Sequence, residues 1–208
     1  MTSTLEAGLA AMGIPVEPGQ LAQLQTYLDQ LQKWNRVYNL TAISDPERMV
    51  AYHILDSLAL LDQITPQAAC LDVGTGAGLP GIPLAIMRPD SQWLLMDSNG
   101  KKTRFVQQAV ASCGLSNVKV VHSRVQDYHA DSSIDVIVSR AYASLQDFVS
   151  SVQHLWQPNT RLITMKTELS DSELQAIDRQ RYTVEIIRLQ IPGIAEKRSL
   201  VTIQRQEI

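Results

Sequence analysis

The chain is poor in cysteine and has no long apolar run. Its two cysteines, Cys70 and Cys113, stand far apart, and its four histidines show no metal-ligand spacing. A disulfide framework and a bound metal ion are therefore not expected, and reduced thiols in a cytoplasmic protein explain both cysteines. No window approaches the roughly 18 apolar residues of a transmembrane helix. The first residues also lack the basic stretch and apolar run of a signal peptide.

The chain has no excess of positive charge either. It carries 18 lysines and arginines against 21 acidic residues, which gives a net charge of −3 and a pI of about 5.8. A protein that coats nucleic acid needs a broadly basic surface, so that class is excluded, whereas a local basic face is not. The candidates for contacts to a polyanion are Lys101, Lys102, Arg104 and Arg124.

The most informative segment spans residues 70–81. A short apolar stretch ends in an acid, Asp72, and three alternating glycines follow it. Glycine reaches positive φ at little cost, so this pattern predicts a buried strand that turns sharply into a helix. Leu79 is expected to open that helix, with Pro80 in its first turn, where a missing N–H is tolerated. Such a turn lets a ligand approach the backbone closely.

A second acid follows at a spacing typical of nucleotide-binding folds. Asp97 ends another apolar stretch, 19 residues after Gly78, at a place where an acid commonly binds ribose hydroxyls. The glycine pattern also fits a dinucleotide-binding loop, so NAD is one alternative. Asp72 would repel a pyrophosphate but attract the ammonium group of a methionine. The residues therefore favour S-adenosylmethionine over NAD.

The first part of the chain is predicted to be helical. Leucines at 21, 24, 28 and 31 form the stripe of an amphipathic helix, and this pattern breaks between 35 and 41. The sequence Ser44-Asp45-Pro46-Glu47 resembles a capping box, which predicts a helix from about Pro46 to Asp62. We expect a helical extension over 1–64 and a second domain over 68–208, joined by a short linker.

From residue 68 onwards, apolar strands alternate with helices. Strands are expected near 69–73, 92–97, 117–122, 134–139 and 160–165, and helices near 80–88, 100–113, 145–156 and 170–179. This alternation predicts an α/β fold with a parallel sheet that binds ligands at the carboxyl ends of its strands. Two further segments, 183–190 and 199–204, have no helix between them and predict an antiparallel pair. By analogy, this is the Rossmann-like sheet of S-adenosylmethionine methyltransferases.

Further motifs are spread in order over nearly the whole chain. They are Lys33-Trp34-Asn35, Asn39-Leu40-Thr41, Asp45-Pro46, His53-Ile54-Leu55-Asp56-Ser57, Asp72-Val73-Gly74-Thr75-Gly76, Gly78-Leu79-Pro80-Gly81-Ile82-Pro83-Leu84, Asp97-Ser98, Lys101, Ser123-Arg124-Val125 and Ser139-Arg140-Ala141. This set resembles the bacterial 16S rRNA guanine-N7 methyltransferases, the glucose-inhibited division protein B family. The resemblance implies methylation of a guanine in the decoding region, with 16S rRNA or the 30S subunit as partner. We also expect a monomer.

Roles follow from the resemblance and from side-chain chemistry. Asp97 is expected to accept hydrogen bonds from both ribose hydroxyls, and Val125 and Gln126 are expected to contact the adenine. Arg140 ends a strand, where its permanent charge suits the methionyl carboxylate or a phosphate beside the target base. The residues expected at the cofactor are Gly74, Gly76, Gly78, Leu79, Asp97, Val125, Gln126 and Arg140.

Two positions depart from the family pattern. Gln126 stands where a glutamate is usual, and Lys166-Thr167 stands where a lysine–glycine pair is usual. Gln126 can still donate and accept hydrogen bonds, so its role at the adenine is kept without a charge. Thr167 takes positive φ less cheaply than glycine, which predicts an altered loop beside the site.

A polar group in the second predicted helix has two interpretations. His53, Asp56 and Ser57 lie at i, i+3 and i+4, on one helical face. One interpretation is a catalytic set, and the favoured one is a hydrogen-bond cluster that docks the helical extension. Trp34 and Asn39 are expected to close the preceding helix against the main domain, with stacking of Trp34 on RNA as the alternative.

The implied reaction needs no general base, because guanine N7 presents a lone pair and carries no proton. Holding nitrogen, methyl and sulfur in line and excluding water can supply the catalysis, so no catalytic residue is assigned. Two alternatives stay open. An NAD-dependent oxidoreductase would need a hydride-transfer site, and none is evident in the sequence. A non-catalytic ribosome-assembly binder would not need the glycines and Asp97 that are intact here.

Overall fold

A seven-stranded sheet with helices on both faces forms the centre of the protein. The computed structural model describes residues 2–140, 142 and 144–206, apart from the side chain of Thr2. The strands are β1 (Ala69–Val73), β2 (Gln92–Asp97), β3 (Val118–His122), β4 (Val136–Ser139), β5 (Arg161–Lys166), β6 (Tyr182–Leu189) and β7 (Arg198–Arg205). Ala141 of the Ser139-Arg140-Ala141 motif and the outermost residues of the ranges 1–64 and 68–208 lie outside the described residues.

The order of strands confirms the predicted fold class. Across the sheet the order is β3-β2-β1-β4-β5-β7-β6. The first five strands are parallel, and β7 runs antiparallel to both β5 and β6. The order in which strands are added reverses between β1 and β4. Because these strands are parallel, the carboxyl ends of β1, β2 and β4 meet at one edge. This edge is where open α/β sheets bind their ligands.

Eight α-helices are present among the described residues. They are α1 (Thr2–Ala11), α2 (Pro18–Tyr38), α3 (Pro46–Met49), α4 (Asp56–Leu58), α5 (Gly81–Met87), α6 (Gly100–Ser112), α7 (Leu145–Val152) and α8 (Asp171–Gln175). A π-helical segment, Val50–Leu55, joins α3 to α4, and 3-10 turns occupy Leu61–Gln63, Val125–Asp127 and Gln153–Leu155. The predicted helix 170–179 is much shorter, because α8 buries none of its residues and packing does not extend it.

Some predicted helix ends were right and others were wrong. The start of α3 at Pro46 is as predicted, and its N-cap Asp45 accepts the Arg48 N–H at 2.8 Å. The helix α2 continues past residue 35 and ends in a left-handed residue, Asn39. Leu79 does not open a helix, and Pro80 is the N-cap of α5 and not part of its first turn.

The helical extension and the sheet share one hydrophobic core. Leu24, Leu28 and Leu31 of the predicted stripe are fully buried in the same cluster as α5 and α6. A second cluster, on the opposite face of the sheet, packs Leu71 and Val73 of β1 against α7. Burying each leucine contributes about 1.5–3 kcal/mol, so the extension is held firmly on one face.

The long helix α2 is placed by contacts at both of its ends. Near its start, the Gln23 side chain donates to the Cys113 carbonyl at 2.9 Å, beyond the end of α6. Near its end, the Trp34 ring lies 5.6 Å from the Phe105 ring, close to the start of α6. The two helices are therefore antiparallel, and the last turns of α2 lie at the carboxyl edge of the sheet. This confirms that Trp34 packs the helix against the main domain.

Candidate cofactor and substrate site

The loop between β1 and α5 has the backbone that its glycines predict. Gly74, Gly76 and Gly78 have φ values of 68°, 60° and 85°. These values lie in the left-handed region that glycine reaches at little cost. The loop is closed by its own bonds, since the Leu79 N–H donates to the Thr75 carbonyl at 2.8 Å. The three alternating glycines therefore produce a tight, preformed loop.

A buried carboxylate lies beneath this loop. Asp72 is 0% exposed, and its Oδ2 accepts the Thr75 hydroxyl at 2.6 Å and the Gly81 N–H at 2.9 Å. Among the described residues its Oδ1 has no hydrogen-bond partner. Burial raises the pKa of Asp72 to about 6, although the two hydrogen bonds and the charge of Arg140 act in the opposite direction. An orphaned, buried carboxylate oxygen at a ligand-binding edge suits a cationic group.

Asp97 joins the ends of β1 and β2. Its Oδ2 accepts the Gly76 N–H at 2.8 Å, and its Oδ1 accepts the Asn99 N–H at 2.8 Å. A carboxylate oxygen has two lone pairs, so both oxygens keep one for a ligand hydroxyl. The Gly76 N–H donates to Asp97, and the Gly78 N–H donates to the Thr75 carbonyl, so both are already used within the protein. These two glycines therefore permit close approach of a ligand without supplying N–H donors to it.

The segment after β3 places its two predicted residues differently. Val125 is buried, and its carbonyl lies 3.2 Å from the Tyr128 N–H and 3.1 Å from Nε2 of His154. Gln126 is exposed. The Val125 carbonyl is thus already occupied, so any contact of this segment to a base falls to its N–H groups and to the Gln126 side chain.

Arg140 is held by an acid from the helical extension. Its Nη1 donates to Asp56 Oδ2 at 2.9 Å, and Nε of Arg198 donates to Asp56 Oδ1 at 3.0 Å. Arg140 follows β4 and Arg198 begins β7, so one carboxylate joins the extension to two strands of the sheet. Asp56 therefore docks the extension, as predicted. Arg198 was missed, because nothing local in the sequence links it to Asp56.

Comparison with known proteins identifies the family. A family model described as rRNA small subunit methyltransferase G matches residues 20–201. The chain belongs to this family. It is 43% identical over 204 residues to ribosomal RNA small subunit methyltransferase G of Hahella chejuensis, covering 98% of this chain and 94% of that protein. The protein of the same name from Neisseria meningitidis serogroup A is 43% identical, with 97% of each chain covered.

Solved structures show the same fold at low sequence identity. A tRNA methyltransferase from Aquifex aeolicus aligns with a TM-score of 0.58 and 13% identity, over 74% of this chain and 69% of that one. A precorrin-6y methyltransferase from Geobacter metallireducens aligns with a TM-score of 0.57 and 12% identity, over 81% and 92%. The predicted Rossmann-like methyltransferase fold, methyltransferase activity and S-adenosylmethionine as cofactor are thereby confirmed, and the oxidoreductase and binder alternatives are not supported.

In this methyltransferase, the polar cluster of His53, Asp56 and Ser57 has a structural role and not a catalytic one. Nε2 of His53 lies 3.1 Å from the Thr41 hydroxyl, whereas the Ser57 hydroxyl donates to the His53 carbonyl at 2.5 Å. With Asp56 bonded to arginines, the three side chains face three different partners. Burial and the nearby Arg140 charge lower the pKa of His53 to about 4, so the ring is neutral near pH 7. The π-helical segment that carries it is a geometry often found at functional sites.

The predicted basic residues lie at the carboxyl edge of the sheet. Lys101 and Arg104 are exposed and Lys102 is half-buried in the first turns of α6, where the Asn99 side chain accepts the Lys101 N–H at 2.9 Å. Arg124 is exposed beyond the end of β3, the neighbour of β2. The four residues therefore lie toward the same edge of the sheet.

The Lys166-Thr167 departure leaves the backbone unstrained. Asn39 and Gln67 are the non-glycine residues with positive φ in the described ranges, so Thr167 does not have to adopt that conformation. Lys166 is buried and its Nζ lies 2.8 Å from Glu173 Oε1. The expected distortion of this loop is therefore not present.

Other kinds of site were sought over the same described ranges. No group of three or more histidine, cysteine or acidic residues is placed to hold a metal ion there, and no helix there has the length and apolarity to cross a membrane. Cys70 and Cys113 are buried, and burial raises their pKa values to about 12 and about 11. Both thiols are therefore protonated at neutral pH.

Proposed function

We propose that the protein transfers the methyl group of S-adenosylmethionine to N7 of a guanine in 16S rRNA. The observation that carries this proposal is the orphaned oxygen of buried Asp72, beneath a loop of three left-handed glycines and beside Asp97. A nucleoside with an attached amino acid satisfies all three features at once, because it brings close backbone contact, ribose hydroxyls and an ammonium group. The relatives' printed name, a small-subunit rRNA methyltransferase, supports the choice of RNA.

The residues at the edge of the sheet fit this cofactor. Asp72 would attract its ammonium group, Asp97 would accept its ribose hydroxyls, and Gln126 would meet the adenine edge. Arg140 keeps guanidinium N–H groups beyond the Asp56 bond for a carboxylate or a phosphate. When bound, the cofactor supplies an electrophilic methyl group on positively charged sulfur. The protein's part is to hold that methyl group in line with the guanine and to exclude water.

The protein needs no proton acceptor for this chemistry. The lone pair of guanine N7 forms the new N–C bond, the C–S bond breaks, and sulfur takes the electron pair. Arg140 is permanently charged and His53 has a pKa of about 4, so neither is poised as a general base near neutral pH. The methylated base becomes cationic, which a nearby carboxylate such as Asp72 would stabilise.

The parts of the chain would divide this work. In our proposal, residues 68–208 hold the cofactor and residues 1–64 form a wall against which the RNA lies. The basic group of Lys101, Lys102, Arg104 and Arg124 would contact phosphates of the 16S rRNA, free or within the 30S subunit. The enzyme would act as a monomer in the cytoplasm.

Mapping the methylated guanine tests the proposed function. Purified protein would be incubated with labelled S-adenosylmethionine and either protein-free 16S rRNA or 30S subunits from cells that lack the enzyme. Chain cleavage at N7-methylguanosine then locates the product. We expect label at one guanine and none without protein. Label on another atom, or none on either substrate, would overturn the proposal.

Affinity for S-adenosylmethionine is expected to fall below pH 6. Only ionised Asp72 attracts the ammonium group, and its pKa is about 6. Affinity should therefore be about tenfold weaker at pH 5 than at pH 7, because the ionised fraction falls by that factor. Calorimetric titration across this range measures the change. Asp72→Asn should bind weakly at every pH, while the exposed-site control Asp131→Asn should follow the wild type. If the wild-type affinity did not change with pH, Asp72 would not be the residue that binds the ammonium group of the cofactor.

Reversing Lys101 and Lys102 to glutamate is expected to weaken RNA binding and leave cofactor affinity intact. Each lost phosphate contact lowers the slope of log affinity against log salt by roughly 0.7–0.9, so two contacts lower it by about 1.5. Filter binding of 16S rRNA at several salt concentrations measures this slope. The control is Lys119→Glu, because Lys119 is exposed near the amino-terminal end of β3, away from the carboxyl edge. An unchanged slope would place the RNA elsewhere.

A further inference from the structure

A polar groove lies at the carboxyl-terminal end of α2. It has a volume of about 610 Å³. Its polar lining residues are Gln32, Asn35, Arg36, Asn39, Thr41 and Ser44. The lining supplies amides and hydroxyls, one cation and no acid, and the cofactor contacts proposed above use none of these residues.

The groove is a built feature and not a gap between mobile side chains. The Asn39 N–H donates to the Asn35 carbonyl at 3.1 Å and ends α2 in a left-handed turn. The buried Asn35 side chain accepts the Thr41 N–H at 2.8 Å, and the Thr41 hydroxyl accepts the Ile43 N–H at 3.2 Å. These bonds fix the segment after α2 against the helix, so the groove has its shape before any ligand arrives.

The helix α2 places the groove just beyond the cofactor loop. The Tyr27 hydroxyl donates to the Ala77 carbonyl of that loop at 2.7 Å. Gln32 and Asn39 follow Tyr27 by 5 and 12 residues, which at about 1.5 Å per residue places them roughly 8 and 18 Å farther along the helix. The groove therefore lies farther along α2 than the residue that contacts the cofactor loop, a position that suits a nucleotide beside the reacting base.

The lining chemistry matches an unpaired nucleotide. Side-chain amides pair with the edges of single bases that are not in a duplex, and Arg36 can bind a phosphate. Tyr38 is not a lining residue but precedes the lining residue Asn39 in the chain. It is 49% exposed, and its ring lies 5.2 Å from that of Trp34, which packs on Phe105. A supported, exposed aromatic ring is a platform on which a base stacks. The volume also lies within the roughly 300–1,000 Å³ of ordinary ligand sites.

We propose that this groove binds one unpaired nucleotide that neighbours the methylated guanine. Gln32 and Asn39 contact the base edge, Arg36 contacts a phosphate, and Tyr38 stacks on the base. This inference rests on the proposed function, since it takes RNA as the substrate. It assigns a role to the Asn39-Leu40-Thr41 motif and to Arg36 that cofactor binding leaves open.

Kinetics of groove variants test the proposal. The double variant Gln32→Ala with Arg36→Gln should raise KM for 16S rRNA or 30S subunits about tenfold, because it removes a base contact and a phosphate contact. The kcat and the affinity for S-adenosylmethionine should stay within twofold of wild type, since the cofactor loop is untouched. Arg188→Gln, on the exposed strand β6 at the far edge of the sheet, is the matched control and should change neither constant.

Ultraviolet crosslinking to 16S rRNA gives an independent reading. Trypsin would release Val37–Arg48 as one peptide, which contains Tyr38 and the segment after α2. We expect crosslinked nucleotide on this peptide. Wild-type KM in the double variant, together with crosslinks confined to other peptides, would overturn the proposal that this groove binds a nucleotide. Absence of N7-methylguanosine in rRNA treated with the wild type would instead overturn the proposed function, so the two failures are distinguishable.

Discussion

Replacing Asp56 by alanine is expected to lower kcat/KM for rRNA about a hundredfold and to destabilise the fold. Asp56 is 6% exposed and is the carboxylate partner of both Arg140 and Arg198, at 2.9 Å and 3.0 Å. When Asp56 is removed, the guanidinium groups of Arg140 and Arg198 remain largely buried and lose their carboxylate partner. Removing one partner of a buried pair costs about 3–5 kcal/mol, and partial exposure reduces this to about 2–3 kcal/mol here.

The loss of activity follows from the position of Arg140. The Asp56 bond fixes its guanidinium at the end of β4, beside Asp72 and the expected methyl-transfer point. Freed from Asp56, Arg140 would sample many orientations, and a misplaced group near the reacting atoms costs about a hundredfold in rate.

Steady-state kinetics and urea unfolding measure both effects. Asp56→Glu keeps the charge and should recover part of the activity, whereas Asp56→Asn should behave like alanine. Asp171→Ala, an exposed acid at the start of α8, is the control for loss of a carboxylate. If folded Asp56→Ala kept wild-type kcat/KM, Arg140 would not depend on Asp56 for its function.

Gly78→Ala is expected to destabilise the protein by about 2–4 kcal/mol and to weaken cofactor binding at least tenfold. A residue with a side chain at a φ of 85° is strained by roughly 1–2 kcal/mol. The added Cβ would also lie 2.5 Å from Cδ1 and 2.9 Å from Cγ1 of Ile82. Overpacking of this kind costs typically about 1–3 kcal/mol. Ile82 is fully buried, so its side chain has little room to move away, and we expect the loop to shift and cofactor affinity to fall as well.

Gly114→Ala separates the two causes. Gly114 also has a left-handed φ, 64°, but a Cβ there would meet no atom within 4 Å. The Gly114→Ala variant should lose only about 1–2 kcal/mol of stability, from backbone strain, and should keep its cofactor affinity. Urea unfolding and calorimetric titration of both variants give the comparison. Equal losses of stability with unchanged affinity in Gly78→Ala would show that close packing at this loop is unimportant for the cofactor.

Local patterns in the chain were sufficient for the sheet and for the cofactor loop. Short apolar stretches predicted β1 and β2 at the bounds observed, and alternating glycines predicted a left-handed loop that carries φ values of 60° to 85°. These features depend on neighbours within a few residues. Steric preference and periodicity act over that range, so the sequence reports them directly.

Helix boundaries were predicted less well, because packing competes with local signals. The leucine stripe breaks at residue 35, yet α2 continues to Tyr38. The predicted helix 46–62 contains a π-helical segment and gives way to a 3-10 turn near its end. An i→i+5 turn leaves no mark in hydrophobic period over six residues, so only the packing around Val50–Leu55 reveals it.

Partners distant in the chain depended wholly on the tertiary structure. Asp56 meets Arg140 and Arg198 from 84 and 142 residues away, and Tyr27 reaches Ala77 across 50 residues. The groove after α2 exists only because that helix packs antiparallel to α6 and projects past the sheet edge. Residue type and spacing indicate which interactions a side chain can make. The tertiary structure decides which group it contacts, because burial and geometry select one partner among many.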